Sequence, residues 1–287
     1  MAEAVTLNGS TDAAALIDDA AWGAAREYAA APHTAVEGTA RLRWLITGAP
    51  YEELNGIYWA DSGIDLSRAL EPFRQAEVPM LWHVGPTSPP ALGERLRGRL
   101  RHYGDEPGML LALDDTPPDS DDSYPWGLEI ARVGTTSQLR AWVRLWAGPA
   151  SDLVVDRLVA LRAPSAFGVG ARTPHLLGLL DGEPVACAAV WVGRPPVRSG
   201  GANDRSRPAS RRPVAWLEHV ATRLAVRGRG IGTALTRACL DIARRRAASH
   251  AALTASSAAV RLYQRLGFRQ ICTVTRYIWT PSAGTTR

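Results

Sequence analysis

The sequence predicts a mixed α/β protein, of the α/β or α+β class, in which helices flank a sheet of parallel and antiparallel strands. Two observations support this prediction. Short segments of alternating apolar and polar residues are interleaved with stretches of helical periodicity. In addition, Asp181-Gly182 separates two apolar runs, and this pair supplies the positive φ angles that a two-residue hairpin turn requires. Because of that hairpin, at least part of the sheet is antiparallel.

In the first half, the pattern predicts strands at residues 42–46, 80–84 and 109–113 and helices at 66–76 and 90–103. Residues up to about 18 are expected to be frayed or weakly helical. Residues 114–123 are acidic, contain two prolines and lack apolar side chains, which is typical of an exposed connector. We therefore place a boundary there, with one domain at 1–122 and a second at 123–287.

In the second half, the pattern predicts strands at residues 128–133, 176–180, 185–192, 214–222, 251–255 and 268–279. Predicted helices cover residues 136–146, 152–161, 231–247 and 258–266. The two strands on either side of Asp181-Gly182 form the hairpin. The helix that begins at Ile231 is amphipathic, so one of its faces is expected to lie on the sheet.

The composition narrows the class of protein. The chain has 287 residues, of which 46% are hydrophobic and 21% are charged, as in folded globular proteins. No apolar run approaches the roughly 18 residues of a membrane-spanning helix, and the acidic N-terminus does not resemble a secretory signal. These features predict a cytoplasmic protein without a membrane partner. Three widely spaced cysteines, Cys187, Cys239 and Cys272, fit neither a disulfide framework nor a zinc site, so no metal is expected.

The basic residues also exclude some functions. The net charge is +5, and all 33 basic residues are arginine. Without lysine there is no Walker-type nucleotide site and no Schiff base. The densest arginine region, from Arg194 to Arg212, is rich in Gly, Pro and Ser and lacks interleaved aromatic residues. It therefore predicts a solvated loop of open role rather than a nucleic-acid surface.

The segment Arg227-Gly-Arg-Gly230-Ile-Gly232-Thr lies between a predicted strand and the amphipathic helix. Glycines at such a junction expose backbone N–H groups, and the positive end of the helix dipole adds to them, so the junction suits a pyrophosphate. A dinucleotide-binding fold would have this loop after its first strand and an acidic residue about 20 positions later. Here the loop comes late, and the next strand ends in Thr254-Ala-Ser-Ser. The dinucleotide interpretation is therefore rejected.

A second motif, Ala258-Ala-Val-Arg-Leu-Tyr263-Gln-Arg-Leu-Gly267-Phe268, follows the glycine-rich loop about thirty residues later. In this order and spacing, the two motifs resemble the GNAT superfamily of acyl-CoA-dependent N-acetyltransferases. The resemblance covers residue 128 to about residue 279. It implies a sheet that splays open between the strand ending at Thr222 and the strand ending at Ala255, with the thioester of acetyl-CoA in the gap.

The resemblance also implies roles for individual residues. The backbone of Val220, Ala221 and Thr222 would hold the pantetheine arm and polarise the thioester carbonyl. Tyr263 would protonate the departing thiolate, a role that suits a phenol with a pKa of about 10. The pyrophosphate would be bound at the loop, whose residues are Arg227, Gly228, Arg229, Gly230, Ile231, Gly232 and Thr233.

The sequence departs from the family pattern at two places. Ser256 stands where many members have an asparagine that contacts CoA, and its hydroxyl could make a shorter hydrogen bond. Leu224 and Val226 stand where many members have a proline and an aromatic residue. Neither departure affects the backbone donors of the loop.

The general base is expected on the same strand as the pantetheine contacts. Glu218 lies four residues before Thr222 and is the leading candidate. His219 has the more suitable intrinsic pKa, but strand alternation predicts that it faces the opposite side from Glu218. Only one of the two would then reach the cleft, and water is the third alternative.

The first half resembles the degenerate partner domain of tandem GNAT proteins. Residues 80–84, a helix and the segment Leu100-Arg-His-Tyr103-Gly104 echo the strand, helix and Leu-Gly-Phe ending of the second half. Aligning Gly104 with Gly267 puts Leu100 opposite Tyr263, and no Arg-x-x-Gly-x-Gly precedes the connector. This half is expected to pack on the catalytic domain and to wall the acceptor cleft.

Together these features predict transfer of an acetyl group from acetyl-CoA to a primary amine of a small molecule, by direct attack in a ternary complex. Two alternatives stay open. One is acetylation of a protein or peptide amine, which would favour a flat groove over an enclosed pocket. The other is a module that binds acyl-CoA without transfer. A homodimer is also left open.

Overall fold

The computed structural model describes residues 10–113, 125–167, 171–194 and 212–281. Its helices are α1 (Ser10–Ala25), α2 (Leu66–Ala76), α3 (Leu92–Arg97), α4 (Thr136–Ala147), α5 (Asp152–Ala166), α6 (Ile231–Arg245) and α7 (Val260–Arg265). Three short 3-10 helices cover Arg26–Ala30, Glu52–Leu54 and Leu224–Val226. The strands are β1 (Ala35–Gly38), β2 (Leu42–Ile46), β3 (Gly56–Ala60), β4 (Met80–Val84), β5 (Arg101–Ala112), β6 (Leu128–Arg132), β7 (His175–Leu180), β8 (Glu183–Gly193), β9 (Val214–Thr222), β10 (His250–Thr254) and β11 (Arg269–Trp279).

The described strands form one continuous mixed sheet in the order β1-β2-β3-β4-β11-β5-β10-β9-β8-β7-β6. Most neighbours are antiparallel, whereas β3 with β4 and β9 with β10 are parallel. Each parallel pair is joined by a crossover that contains a helix, α2 in the first half and α6 in the second. The mixed sheet with flanking helices confirms the predicted fold class.

Each half of the sheet is completed by a strand of the other half. The last strand of the first half, β5, lies between β10 and β11 and is antiparallel to both. In turn, β11 lies between β5 and β4. The predicted boundary falls within residues 114–124, outside the described residues, so the division into 1–122 and 123–287 stays a prediction.

The helices cover both faces of the sheet. Helix α6 contributes Ile231, Leu235 and Cys239 to a core with strands β8 and β9, as its amphipathic pattern predicts. Helices α4 and α5 pack on the same part of the sheet in a second core. The hairpin is also confirmed, since Asp181 and Gly182 have φ angles of 51° and 80° between β7 and β8.

Helix α1 was predicted only as a weakly helical N-terminal segment, but it is a sixteen-residue helix packed into the sheet. Ile17 and Ala20 are fully buried and contact a core that includes Trp216 of β9 and Val274 of β11. The sequence of this helix shows no clear amphipathic pattern, because many of its residues are alanine, which is compatible with either burial or exposure. The helix therefore joins the two halves of the chain.

The predicted helix over residues 90–103 is wrong in its second part. Helix α3 ends at Arg97, and residues 101–112 form the long strand β5. Tyr103 and Gly104 accordingly lie in a strand, so they do not correspond to the helix-ending Leu-Gly-Phe of the second half. The strand extends so far because β10 and β11 pair with it on both sides, a long-range contact that local periodicity does not contain.

Candidate active site

Strands β9 and β10 pair only at their beginnings. The paired residues run from Val214 with His250 to Trp216 with Ala252, and β9 then continues to Thr222 without β10 beside it. The backbone groups of β9 that face this opening are not used by β10. The structure thus contains the opening that the sequence predicted between the strands ending at Thr222 and near Ala255.

The glycine-rich loop connects the end of β9 to α6. Gly228 and Gly230 have φ angles of 78° and 81°, a conformation that favours glycine. Gly230 is the N-cap residue of α6, and it has no side chain that could accept from the first-turn N–H groups. The Nε of Arg227 donates to the carbonyl oxygen of Thr222 over 2.9 Å, which ties the loop to the strand. Ile231 is buried and anchors the helix start in the core.

The loop, the end of β9 and α7 meet at Gly232. A Cβ on this glycine would lie 3.3 Å from Cδ1 of Leu262 and 3.8 Å from Oγ1 of Thr222. The absence of a side chain therefore allows the close approach of α7 to the start of α6. Arg229 and Gly230 are exposed, and Thr233 is partly buried in the first turn of the helix. Apart from the buried Ile231, the predicted pyrophosphate residues thus form a helix N-terminus that is at least partly exposed.

Tyr263 lies on α7 with only 6% of its surface exposed. Its ring contacts Phe268 edge to face, with 5.6 Å between the ring centroids. Burial raises the pKa of Tyr263, so the phenol keeps its proton at neutral pH. Ser256 is exposed directly after β10, and its carbonyl oxygen accepts from the N–H of Ala259 over 2.9 Å. Ser256 therefore begins the turn that leads into α7.

Glu218 and His219 do not alternate as the sequence predicted. A β-bulge interrupts the pairing of β8 with β9, and His219 has a φ angle of 53°. As a result, both side chains contact the same group, the guanidinium of Arg162 on α5. Its Nη1 lies 2.6 Å from Oε1 of Glu218, and its Nη2 contacts Nε2 of His219. The expectation that only one of the two residues faces the cleft is wrong, because it assumed an unbroken strand.

Arg162 is the residue that sequence reasoning missed. It is only 1% exposed, and its guanidinium lies over the rings of Tyr28 at 4.5 Å and Trp142 at 5.3 Å. A single arginine in the otherwise apolar segment of residues 158–163 is a local signal of a buried charge. However, that signal does not identify the partner, which lies 56 residues further along the chain.

The arrangement around Arg162 distinguishes the two candidate bases. A guanidinium can only donate hydrogen bonds, so the lone pair of His219 Nε2 accepts from Arg162 and is occupied. Burial, and then the charge of Arg162, hold the pKa of His219 well below its usual value. His219 is accordingly neutral at physiological pH and poorly suited to take a proton. Glu218 keeps its second carboxylate oxygen, Oε2, which lies 4.0 Å from His219.

A cavity of about 260 Å³ adjoins this part of β9. Its wall from the second half includes Glu218 and His219 of β9 together with Thr254 of β10. Residues of α1, β3, β4 and β5 and of two 3-10 helices form the wall from the first half. Tyr58 of the first half is part of this lining, whereas Trp82 is fully buried in the core of the first half.

Comparison with known proteins agrees with this geometry. Residues 140–268 match the family model described as "Acetyltransferase (GNAT) family". The matched range includes β9, the glycine-rich loop, α6 and α7, and therefore both motifs on which the resemblance was based. Among curated proteins, none matches the chain significantly.

Solved structures extend the likeness over nearly the whole chain. A GCN5-related N-acetyltransferase from Kribbella flavida is 19% identical with a TM-score of 0.62, covering 94% of this chain and 97% of that one. A tandem GNAT protein from the clavulanic acid biosynthesis pathway is 17% identical with a TM-score of 0.58, covering 91% and 88%. A GCN5-related N-acetyltransferase from Sphaerobacter thermophilus is 18% identical with a TM-score of 0.51, covering 74% and 64%. At these identities the likeness shows the fold.

The GNAT region and the first half share the candidate site, since both contribute to the cavity. Within the described ranges, no helix combines the length and the apolar composition needed to cross a bilayer. The arginine-rich segment lies mostly within residues 195–211, outside the described residues. The structure therefore brings together the loop, Thr222, α7 and the Glu218 cluster around one opening in the sheet.

Proposed function

We propose that the chain is an acetyl-CoA-dependent N-acetyltransferase that acetylates a primary amine of a small molecule. The observation that carries the proposal is the position of the cavity. It adjoins the stretch of β9 where the strand has left β10, and the carboxylate of Glu218 lies in its wall. An amine in the cavity would thus stand beside both a base and the opening in the sheet.

The glycine-rich loop supports binding of the CoA pyrophosphate. Among the described residues, no side chain caps the first-turn N–H groups of α6, and none has a heavy atom within 4 Å of where a Cβ of Gly228 would lie. A phosphate group at this helix N-terminus would accept hydrogen bonds from the backbone of Gly228 to Thr233 and interact with the helix dipole. The backbone of Val220, Ala221 and Thr222, which β10 does not pair with, would bind the pantetheine arm on that edge, and Ser256 would add a contact from beyond β10.

In the proposed reaction, Glu218 takes a proton from the ammonium group, and the neutral nitrogen attacks the thioester carbonyl carbon. Backbone N–H groups near Thr222 stabilise the charge that develops on the carbonyl oxygen. When the carbon–sulfur bond breaks, the thiolate takes the proton of the Tyr263 hydroxyl. The second proton that the nitrogen loses restores this hydroxyl through solvent, and Glu218 releases its proton to solvent. The products are an amide and free CoA. No covalent enzyme intermediate is required.

The size of the cavity favours a small acceptor over a protein or peptide. Its volume of about 260 Å³ lies near the lower end of small-molecule pockets, which span roughly 300 to 1,000 Å³. Both halves of the chain contribute to its walls, whereas a peptide acetyltransferase would present an open groove. This observation supports the small-molecule alternative.

Thiol release from acetyl-CoA against a panel of primary amines tests the proposal. We expect amine-dependent release, and we expect Tyr263→Phe to lower its kcat roughly 10²- to 10⁴-fold, the usual contribution of a general acid. Because this substitution removes only the hydroxyl, calorimetry should find acetyl-CoA binding unchanged. Binding of acetyl-CoA without release for any amine would instead indicate a binding module, and lack of binding would overturn the proposal altogether.

A further inference from the structure

The wall of the cavity beside β9 contains a buried hydroxyl group without a hydrogen-bond partner. Tyr28, in the 3-10 helix that follows α1, lines the cavity and is only 6% exposed. Its hydroxyl oxygen is buried and has no partner among the residues that the structure describes. Buried polar atoms are normally paired, so an unpaired hydroxyl in a cavity wall marks a position for a polar group of a ligand.

Tyr28 is held next to the proposed base. The guanidinium of Arg162 lies over the Tyr28 ring, 4.5 Å from its centroid, and Nη1 of the same guanidinium donates to Oε1 of Glu218 over 2.6 Å. One buried side chain therefore positions both the ring and the carboxylate. If the amine of an acceptor lies at Glu218, a substituent close to that amine is within reach of Tyr28.

The surroundings of this hydroxyl indicate which kind of group it binds. Burial raises the pKa of Tyr28 well above its usual value, so the phenol keeps its proton and both donates and accepts hydrogen bonds. The charged groups that act on Tyr28 are Arg162 and Glu218, and these two already pair with each other. Neither a second ammonium group nor a carboxylate of the ligand would gain an unpaired counter-charge from them. An uncharged hydrogen-bonding group therefore fits this position best.

A second polar atom of the lining also suits an uncharged group. Nε2 of His83 is buried and has no partner within the described part of the chain. The imidazole stacks on Tyr58 with 4.7 Å between the ring centroids, and burial holds the pKa of His83 well below its usual value, so the ring is neutral. Its cross-strand neighbour Arg276 pairs with Glu106 at 2.7 Å. A hydroxyl group of the ligand, which donates and accepts, would match either tautomer of this histidine.

We infer that the acceptor is a small amino alcohol, whose amine lies at Glu218 and whose hydroxyl group forms a hydrogen bond with the hydroxyl of Tyr28. This inference rests on the proposed function, because it assigns the amine of the ligand to acetyl transfer. It goes beyond it by naming the substrate class and a residue that selects it. The cavity volume of about 260 Å³ limits the ligand to a small molecule. Through Tyr28, the first half of the chain takes part in substrate selection.

Calorimetry on the full chain in the presence of CoA tests the inference without requiring turnover. The probes are linear amino alcohols of increasing length, each compared with the alkylamine in which a methyl group replaces the hydroxyl. This replacement keeps the amine and nearly the same size. We expect the best amino alcohol to bind at least about tenfold more tightly than its alkylamine, because the alkylamine leaves the buried hydroxyl of Tyr28 unpaired. Tyr28→Phe should reduce this ratio toward one.

Tyr51→Phe is the matched control. The hydroxyl of Tyr51 donates to the carbonyl oxygen of Ala147 over 3.4 Å, and Tyr51 is not among the described residues that line the cavity. This variant removes the same group and should keep the ratio. Urea unfolding without ligand distinguishes binding from a structural role. Tyr28→Phe should not lower the urea midpoint, because the hydroxyl that it removes has no partner in the described protein.

Equal affinity of amino alcohol and alkylamine would overturn the inference, as would lack of binding across the series. It would also be overturned by an unchanged ratio in Tyr28→Phe or by an equal effect of the two variants. The first comparison uses the unaltered chain, so it decides the question even if Tyr28→Phe does not fold. Failure of the proposed function has a different signature, since no amine would then release thiol from acetyl-CoA whatever the binding ratio.

Discussion

Glu218 and Arg162 form an ion pair that is largely buried. The side chain of Arg162 is 1% exposed and that of Glu218 is 18% exposed. Breaking such a pair leaves an uncompensated buried charge and typically costs about 3 to 5 kcal/mol. The pair therefore holds the carboxylate in one orientation at the bulge of β9. This positioning fixes a proton acceptor in the wall of the cavity.

The proposed base makes a specific prediction at this residue. We expect Glu218→Gln to lower kcat/KM roughly 10²- to 10⁴-fold near pH 7, because the amide cannot accept the ammonium proton. The deficit should narrow as the pH approaches the pKa of the free amine, about 10, since more of the acceptor is then neutral in solution. Steady-state thiol release from pH 7 to pH 10 measures both effects.

Glu129→Gln is the control for this prediction, because Glu129 is an exposed residue of β6 and does not line the cavity. It should leave kcat/KM unchanged across the same pH range. A deficit of Glu218→Gln that stays constant from pH 7 to pH 10 would contradict the assignment of Glu218 as the base.

Buried histidines link stability to pH. Burial, reinforced by the charge of Arg162, lowers the pKa of His175 to about 3 and holds that of His219 well below its usual value. Burial does the same for His83. In the unfolded chain these side chains take up protons below about pH 6.5, whereas in the folded protein they stay neutral. The unfolding free energy therefore falls as the pH drops below 6.5 and is unaffected above it.

We expect each of these histidines to lower the unfolding free energy by about 1.4 kcal/mol between pH 7.5 and pH 5.5, one unit below the unfolded pKa. Urea unfolding at the two pH values measures the loss. His175→Gln should reduce it by about 1.4 kcal/mol, whereas the same change at the exposed His33 should not alter it. An identical pH dependence in all three proteins would refute this explanation.

At the scale of elements, the two crossover helices begin in opposite ways. Helix α6 starts after Gly230 and leaves its first-turn N–H groups without a side-chain acceptor. Helix α2 starts after Asp65, whose carboxylate accepts from the N–H groups of Ser67 and Arg68. These hydrogen bonds lower the pKa of Asp65. Because the carboxylate already occupies the positive end of α2, only α6 offers its N-terminus to a phosphate.

Two glycine substitutions distinguish a loss of acetyl-CoA binding from a loss of stability caused by backbone strain. Gly228 and Gly182 have φ angles of 78° and 80°, and a Cβ at either position would meet no atom of the described part of the chain within 4 Å. We expect alanine at either position to cost about 1 to 2 kcal/mol of stability, the price of a left-handed conformation. Only Gly228→Ala should also weaken acetyl-CoA binding, because it changes the loop before α6. Calorimetry and urea unfolding of the two variants check both parts, and equal acetyl-CoA affinity would contradict the role of the loop.

The elements that the sequence predicted correctly are those whose structure depends on neighbouring residues in the chain. The glycine-rich loop, the amphipathic helix after it and the Asp-Gly hairpin depend on residues close in the chain, and their structures follow local rules. The bulge at His219 and the burial of Arg162 depend on contacts between α5 and β9, which no local pattern contains. The same holds for β5, whose first residues are predicted as helix and become a strand through pairing with β11.

At the scale of the whole molecule, the two halves are interleaved rather than merely adjacent. Strand β5 is paired along its length with β11, from Leu110 opposite Arg269 to Arg101 opposite Ile278, and also with β10. Strand β11 pairs with β4 on its other edge. Helix α1 packs across these strands. The cavity accordingly depends on both halves, because its walls come from each of them.

This interleaving predicts that the halves stay together without a covalent link. A protease site introduced between residues 114 and 124 and then cleaved should leave both fragments co-eluting on gel filtration in native buffer. The physical reason is that separation would break the antiparallel ladders of β5 with β10 and β11 and of β4 with β11, and would expose buried apolar surface. The uncleaved protein with the same insertion is the control, and acetyl-CoA binding should match in the two samples. Fragments that separate in native buffer would contradict this prediction. They would show that each half forms a complete sheet without a strand of the other half, because the pairing of β5 with β10 and β11 holds the halves together only if it exists in solution.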